Sequence, residues 1–221
     1  MKEARANARA FFVLSDNLVG STAIAYFDAM NDLADFGYKV TYEVPLPGGQ
    51  ARLREAALYV MRRSENSDFF GLVKLNKILW RADFQSYRER FSPVTGRQYQ
   101  RLQNGPAPVE MKPILNELIA RGDIVLRSTS VPGEQRPVAI AQPNLQHFSA
   151  YDLRYLDEAI EYYREKTARE ASDLSHGLAW LTRQDGDPIP YEAAYFDDRP
   201  MPNNLRLKLS QIARERGWRT T

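Results

Sequence analysis

The sequence predicts a mainly helical α+β protein: a helical domain with one β-hairpin, preceded by a helix–helix–strand arm. Three observations predict it. From Gln50 onward apolar residues recur at helical spacing, most clearly Leu72, Leu75, Leu79 and Ala82 with Ile78 beside them. DIVLR (123–127) and RPVAIA (136–141) are strand-like runs joined through SVPGEQ, the pattern of a hairpin. Ser149-x-x-Asp152 and Thr167-x-x-Glu170 have the form of capping boxes that open helices.

The 221 residues suffice for one domain with a real core plus an appendage, and 43% hydrophobic with 26% charged residues is an ordinary globular balance. A net charge of +2 creates no global field for nucleic acid, so any charge effect is local. Cysteine is absent, which excludes disulfides, thiol catalysis and cysteine metal sites and is compatible with a reducing cytosol. The apolar run AFFVL (10–14) is too short for a signal region or a membrane span. The expectation is a cytoplasmic protein with no membrane partner.

Residues 1–44 suggest two helices and a strand. Ile24, Phe27, Met30 and Leu33 or Ala34 form a stripe that Ser21 or Thr22 can cap and Gly37 can end. Tyr38, Val40, Tyr42 and Val44 then alternate with Lys39, Thr41 and Glu43, a period of two. PLPGG (45–49) reads as a linker. The predicted organisation is an arm over 1–47, a core domain over 48–200, and a basic C-terminal helix over 201–221 packed on the core. A piece as short as the arm rarely sustains its own core, so it docks on the rest, on a second copy in a homodimer, or on a partner. Its strand is expected to pair with the 123–141 hairpin or with another chain.

Leu53, Ala57, Val60 and Met61 mark a helix that ends in RRSENSD, and the helix over 72–88 follows. FSPVTGRQYQRLQ (91–103) is too rich in Pro, Gly and polar residues to continue it, and Asn104-Gly105-Pro106 punctuates the chain. A helix is predicted from Pro108 to Arg121, with Met111, Ile114 or Leu115, and Leu118 inward, Pro113 in its first turns, and Gly122 as its stop. Helix, helix and hairpin in that order outline a winged helix. Beyond it, Leu153, Leu156, Ile160 and Tyr163 line one helix and a second holds Leu174 and ends near SHG. Asp185, Asp187, Glu192, Asp197 and Asp198 fall in loop segments and suggest an acidic surface. The last helix is seamed by Leu205, Leu209 and Ile212 and is basic through Arg206, Lys208, Arg214, Arg216 and Arg219.

Catalytic chemistry finds no foothold. His147 and His176 are the only histidines, HExxH spacing is absent, and so are the nucleophile elbow, the P-loop and the dinucleotide fingerprint. No metal and no cofactor is expected. The carboxylate pairs Asp157–Glu158 and Asp197–Asp198 read as solvated surface, and His176 as a helix-end contact. What stands out is charge: over Leu72–Gln103, Lys74, Lys77, Arg81, Arg88, Arg90, Arg97 and Arg101 outnumber Asp83 and Glu89. This segment faces something negative or pairs with acidic segments elsewhere. Asp83 within it reads as a salt bridge or a cap for the following turn, ahead of a partner-binding carboxylate. Trp80, Arg81, Arg88, Tyr99 and Arg101 are the candidate partner-binding residues, since Trp, Tyr and Arg dominate interface hot spots.

Two blocks carry a family resemblance. KLNKILWRADFQSY followed by TGRQYQRLQNGPAPVEM resembles the Panacea domain of SocA-like antitoxins, with its KLNKLL-type helix ending in Ala-Asp, its TG…Y segment and its Gly-Pro-x-Pro turn. AREASDLSHGLAW…IPYE (168–192) resembles the distal element of the same family. The matches span roughly residues 50–195 and occur in the right order. They assign Lys77, Asp83, Gly96, Tyr99, Gly105, Pro106, His176, Trp180 and Tyr191 to the family motif. Ser86 stands where the family helix is expected to carry a histidine, so a role needing that histidine is absent here. The resemblance implies a non-catalytic antitoxin whose partner is a co-produced toxin. An autoregulatory, winged-helix-like binder of promoter DNA is the competing class, although the wing offers only Arg127 and Arg136; a hydrolase is the remote third.

Overall fold

The computed structural model describes residues 40–129 and 135–195, and all of these from Thr41 onward belong to one compact unit, Thr41–Pro200. The two helices of the arm, Asp197, Asp198 and the 201–221 helix lie outside the described residues. Within them the chain is mainly helical with short strands, the predicted class.

Three helices build the centre. α1 (Gly49–Arg63), α2 (Leu72–Arg90) and α4 (Ala150–Tyr163) pack around one core, with α2 touching both others. Leu53, Val60, Leu75, Ile78, Leu79, Leu156 and Ala159 are fully buried there, so the predicted stripes face inward. α3 (Met111–Ala120) adds Met111, Ile114 and Leu118, and Gly122 follows it at φ +73°. The predicted start at Pro108 is three residues early. Pro108 holds Ala107 extended, and Ala107–Pro108 forms strand β2 against β1 (Tyr99–Gln100).

β3 (Ile124–Ser128) and β4 (Gln135–Ala139) form the predicted antiparallel hairpin, with Ile124 opposite Ala139 and Ser128 opposite Gln135. Ile124, Pro137 and Ala139 face the core, and Val125 faces out. A second sheet escaped the sequence reading: β2, β1 and β5 (Pro188–Ile189) lie side by side. Strands of two residues carry no readable period, yet this sheet joins the two motif blocks. The distal block supplies α5 (Ala168–Leu174) and α6 (Leu178–Leu181) and, after β5, leads into a 3₁₀ turn at Tyr191–Tyr195.

Both capping boxes form. Ser149 Oγ accepts from the Asp152 amide at 3.2 Å and Asp152 accepts from the Ser149 amide at 2.8 Å; Thr167 and Glu170 repeat the exchange at the same distances. Of the strand expected over Tyr38–Val44, residues 40–44 form no strand and do not pair with the hairpin, and residues 38 and 39 lie outside the described residues. The backbone groups there are taken singly by loop ends: Val44 N–H donates to Gly96 O, Thr41 N–H to Glu192, and Tyr191 N–H to Thr41 O. PLPGG is a docked turn closed by Gly49 N–H on Leu46 O rather than a free linker.

Arg52 joins these pieces. It is 4% exposed, it pairs with Asp152 at 2.8 Å, and it donates to the carbonyls of Val94 and His147. One guanidinium thereby ties α1 to the start of α4 and to the segment after α2. Removing one partner of a buried pair strands the other charge. Asp152→Ala is therefore expected to destabilise the protein by about 3–5 kcal/mol in urea denaturation. Ser149→Ala, which loses only the cap, is expected to cost about 1 kcal/mol.

Candidate functional site: a buried motif network and the groove beside it

Asp83 is fully buried in α2 and receives donors from the segment that follows. Thr95 donates through its amide and its hydroxyl, and the Tyr99 hydroxyl donates at 2.8 Å. Burial pushes the Asp83 carboxyl up to about 6, while the bonds from Thr95, Tyr99 and the Val94 backbone pull it down. Of its predicted roles, organising the next turn holds; no salt bridge forms among the described residues. Gly96, between these donors, sits at φ +72°, and a Cβ there would lie 2.2 Å from Val44 O. Tyr99 and Tyr191 are fully buried, with hydroxyls raised well above the usual range by burial and then by Asp83. Together with Phe84, Tyr87 and Ile189 they make a second, aromatic core.

Lys77 anchors the other end of the motif. It is 1% exposed and donates to Pro106 O at 2.8 Å, and burial pushes its ammonium down to about 7. Gly105 has φ +95°, and a Cβ there would meet Ser175 Oγ at 2.3 Å and Lys77 Nζ at 2.7 Å, so no side chain fits. The distal block closes the ring. Ser172 Oγ donates to Asn104 O and lies 3.3 Å from His176 Nε2; His176 stacks on Trp180; Trp180 Nε1 donates to Leu102 O. Arg101 covers the Trp180 ring at 4.1 Å and pairs with Asp185. Tyr191 donates to Arg97 O at 2.7 Å. Ser86 is buried and donates to Ser92 O.

Beside this network the exposed side of α2 and the walls of α5, α6 and the 3₁₀ turn enclose a groove of about 240 Å³. Trp80, Phe84, Leu174, Leu178 and Ala194 give it apolar surface; Arg81, Gln85, Arg88 and Glu89 give it a polar edge. The Arg81 guanidinium lies 3.6 Å over the Tyr162 ring.

Residues 75–181 match the family model described as Antitoxin SocA-like, Panacea domain. No curated protein and no solved structure matches the chain. The Panacea match opens one turn into α2 and closes at the end of α6, so it holds Asp83, the Gly105 turn and Trp180. Tyr191 and Arg52 lie outside it yet make contacts into the same structure.

The basic surplus of residues 72–103 is used mostly inside the protein. Arg97 pairs with Glu43 and Glu110, Arg90 with Asp152, Arg101 with Asp185, and Lys74 donates to Arg164 O at 2.9 Å. Of the five residues expected to touch a partner, Trp80, Arg81 and Arg88 meet at the groove. Tyr99 is removed from any surface by complete burial, and Arg101, 9% exposed, braces Trp180. Glu192, expected on an acidic surface, is instead buried and accepts from Thr41 N–H and the Tyr87 hydroxyl. Sequence reasoning missed the depth of Lys74 and Lys77 and the place of Thr95, for which a Thr twelve residues after a helical Asp is no recognisable signal. Among the described residues no cluster of His, Asp or Glu is placed to hold a metal ion, and no helix is long and apolar enough to cross a membrane.

Two outcomes check this network. Asp83→Asn presents an N–H₂ group to at least one buried donor, so it is expected to cost more stability than Tyr99→Phe, by about 1–3 kcal/mol in urea denaturation. The second concerns pH. Lys77 loses its proton near 7 in the folded chain but near its ordinary 10.5 when unfolded, so between those values the unfolded state holds more protons. Stability from this group rises with pH across that window, by up to about 1.4 kcal/mol per pH unit, and is lost as pH falls toward 7. Lys77→Met is expected to flatten that slope in denaturation curves measured between neutral and alkaline pH.

Proposed function

We propose that this protein is an antitoxin that neutralises a co-expressed toxin by direct, non-catalytic binding in the cytoplasm. The Panacea match over residues 75–181 carries the reading. It is supported by the fate of the motif: Lys77, Asp83, Tyr99 and Tyr191 are buried and committed to internal hydrogen bonds and the half-buried His176 stacks on Trp180, so the motif builds a scaffold. The surface it frames suits a protein partner, because Trp80, Arg81 and Arg88 converge on one groove. In this reading those three contact the toxin, Tyr99 and Arg101 hold the groove's shape from behind, and the arm over 1–47 adds a second contact.

The hairpin gives little support to a DNA-binding wing. Arg136 donates to the carbonyls of Ser64 and Glu65, which leaves Arg127 as the exposed base of the described strands.

Expression of the neighbouring gene alone and together with this one tests the proposal, with growth and co-purification as readouts. The expected result is toxicity relieved by a stoichiometric complex. A harmless neighbour that never co-purifies would contradict it, and a shift of promoter DNA by this protein alone would favour the regulator.

A further inference from the structure

We infer that the toxin engages this protein through an acidic segment carrying one apolar side chain, which enters the groove while its carboxylates meet Arg88 and Arg154. The inference rests on the antitoxin reading and gives that partner its chemistry. Volume decides the class of occupant first. At about 240 Å³ the groove is smaller than the roughly 300–1,000 Å³ of sites built for small ligands and cofactors, so it suits an anchoring side chain. Leu174, Leu178 and Ala194 offer that anchor an apolar wall, with Arg81, Gln85 and Arg88 on the polar side.

Charge decides what flanks it. Arg81, Arg88 and Glu89 are the charged residues at the groove. Glu89 is turned toward α4, where it accepts the Tyr155 hydroxyl at 2.6 Å and lies 3.9 Å from Arg154, which also pairs with Glu158 at 3.6 Å. Arg154 stacks on Tyr155 at 4.8 Å and on Tyr151 at 5.6 Å, and Tyr151 is 60% exposed. These contacts extend the groove into one strip, from Arg88 past Glu89 to Arg154 and Tyr151. Arg88 is exposed and forms no ion pair among the described residues, whereas Arg90, Arg97 and Arg101 are all paired. Arg88 is thus the segment's exposed guanidinium outside any ion pair among the described residues, and it lies next to exposed aromatic surface, while Arg154 beside it shares its charge with Glu89 and Glu158. Arginine with tyrosine and tryptophan around a small pocket of mixed polar and apolar lining is the composition of an interface hot spot, and the positive charge that Arg88 leaves there selects and steers a negative partner.

The experiment uses the full-length protein and the purified product of the neighbouring gene, with affinity measured by calorimetry at low and high salt. Arg88→Glu and Arg154→Glu are each expected to weaken binding about tenfold or more, and most at low salt. Leu178→Glu, which puts a carboxylate into the groove, is expected to weaken it comparably. Arg127→Glu on the hairpin is the control and is expected to bind like the wild type. Thermal melting of each variant reports folding, and Arg88→Gln with Arg154→Gln provides a milder pair that must shift affinity in the same direction. Wild-type affinity in a folded Arg88→Glu/Arg154→Glu double variant would overturn this inference and leave the antitoxin reading standing. A neighbouring product that fails to bind the wild type would overturn both.

Discussion

The fold of the motif depends on one buried carboxylate. Asp83 is out of contact with water, and a charge there is tolerable only if donors surround it. The donors come from Thr95 and Tyr99, twelve and sixteen residues later, so satisfying one side chain fixes the course of the whole segment after α2. Much else follows from that course. Gly96 must approach the chain at Val44, Tyr99 must start the small sheet, and the strand β5 of the distal block must pair beside it. A motif that looks like a list of polar letters is in this sense a single electrostatic solution.

The same logic accounts for the basic residues of α2. An excess of lysine and arginine invites a nucleic-acid reading, but charge decides nothing until its partners are known. Lys74 and Lys77 end on backbone carbonyls of Arg164 and Pro106, and Arg90, Arg97 and Arg101 end on carboxylates from four different parts of the chain. These bonds join distant segments to α2 and to the stretch that follows it. Among the described residues, the positive surface that this stretch leaves over is small and local.

How much of this is readable in the letters depends on the range of the interaction. α2 is legible because Leu75, Leu79 and Ala82 repeat within the helix itself, and the Ser149 and Thr167 boxes because each closes within three residues. The resemblance also singles out Asp83, Gly105 and Trp180, though without saying that they touch one another's neighbours. The illegible features are those whose partners lie elsewhere. Lys77 belongs to the polar letters of its helix, and only the carbonyl of Pro106 makes its burial possible. Val40, Tyr42 and Val44 alternate as a strand would, yet Gly96 and Tyr191 take the backbone bonds of residues 41 and 44 one at a time. Glu192 has the composition of an acidic loop and the environment of a core residue.

The central claim is that the motif is interior and that recognition happens on the face it supports. Hydroxyl-radical footprinting of the aromatic residues, in the free protein and in its complex with the neighbouring gene product, tests this most directly. The account predicts that Tyr99 and Tyr191 stay unreactive in both states, while Tyr151 and Trp80 react in the free protein and become protected in the complex. Tyr99 or Tyr191 reacting in the free protein and losing reactivity on binding would contradict it.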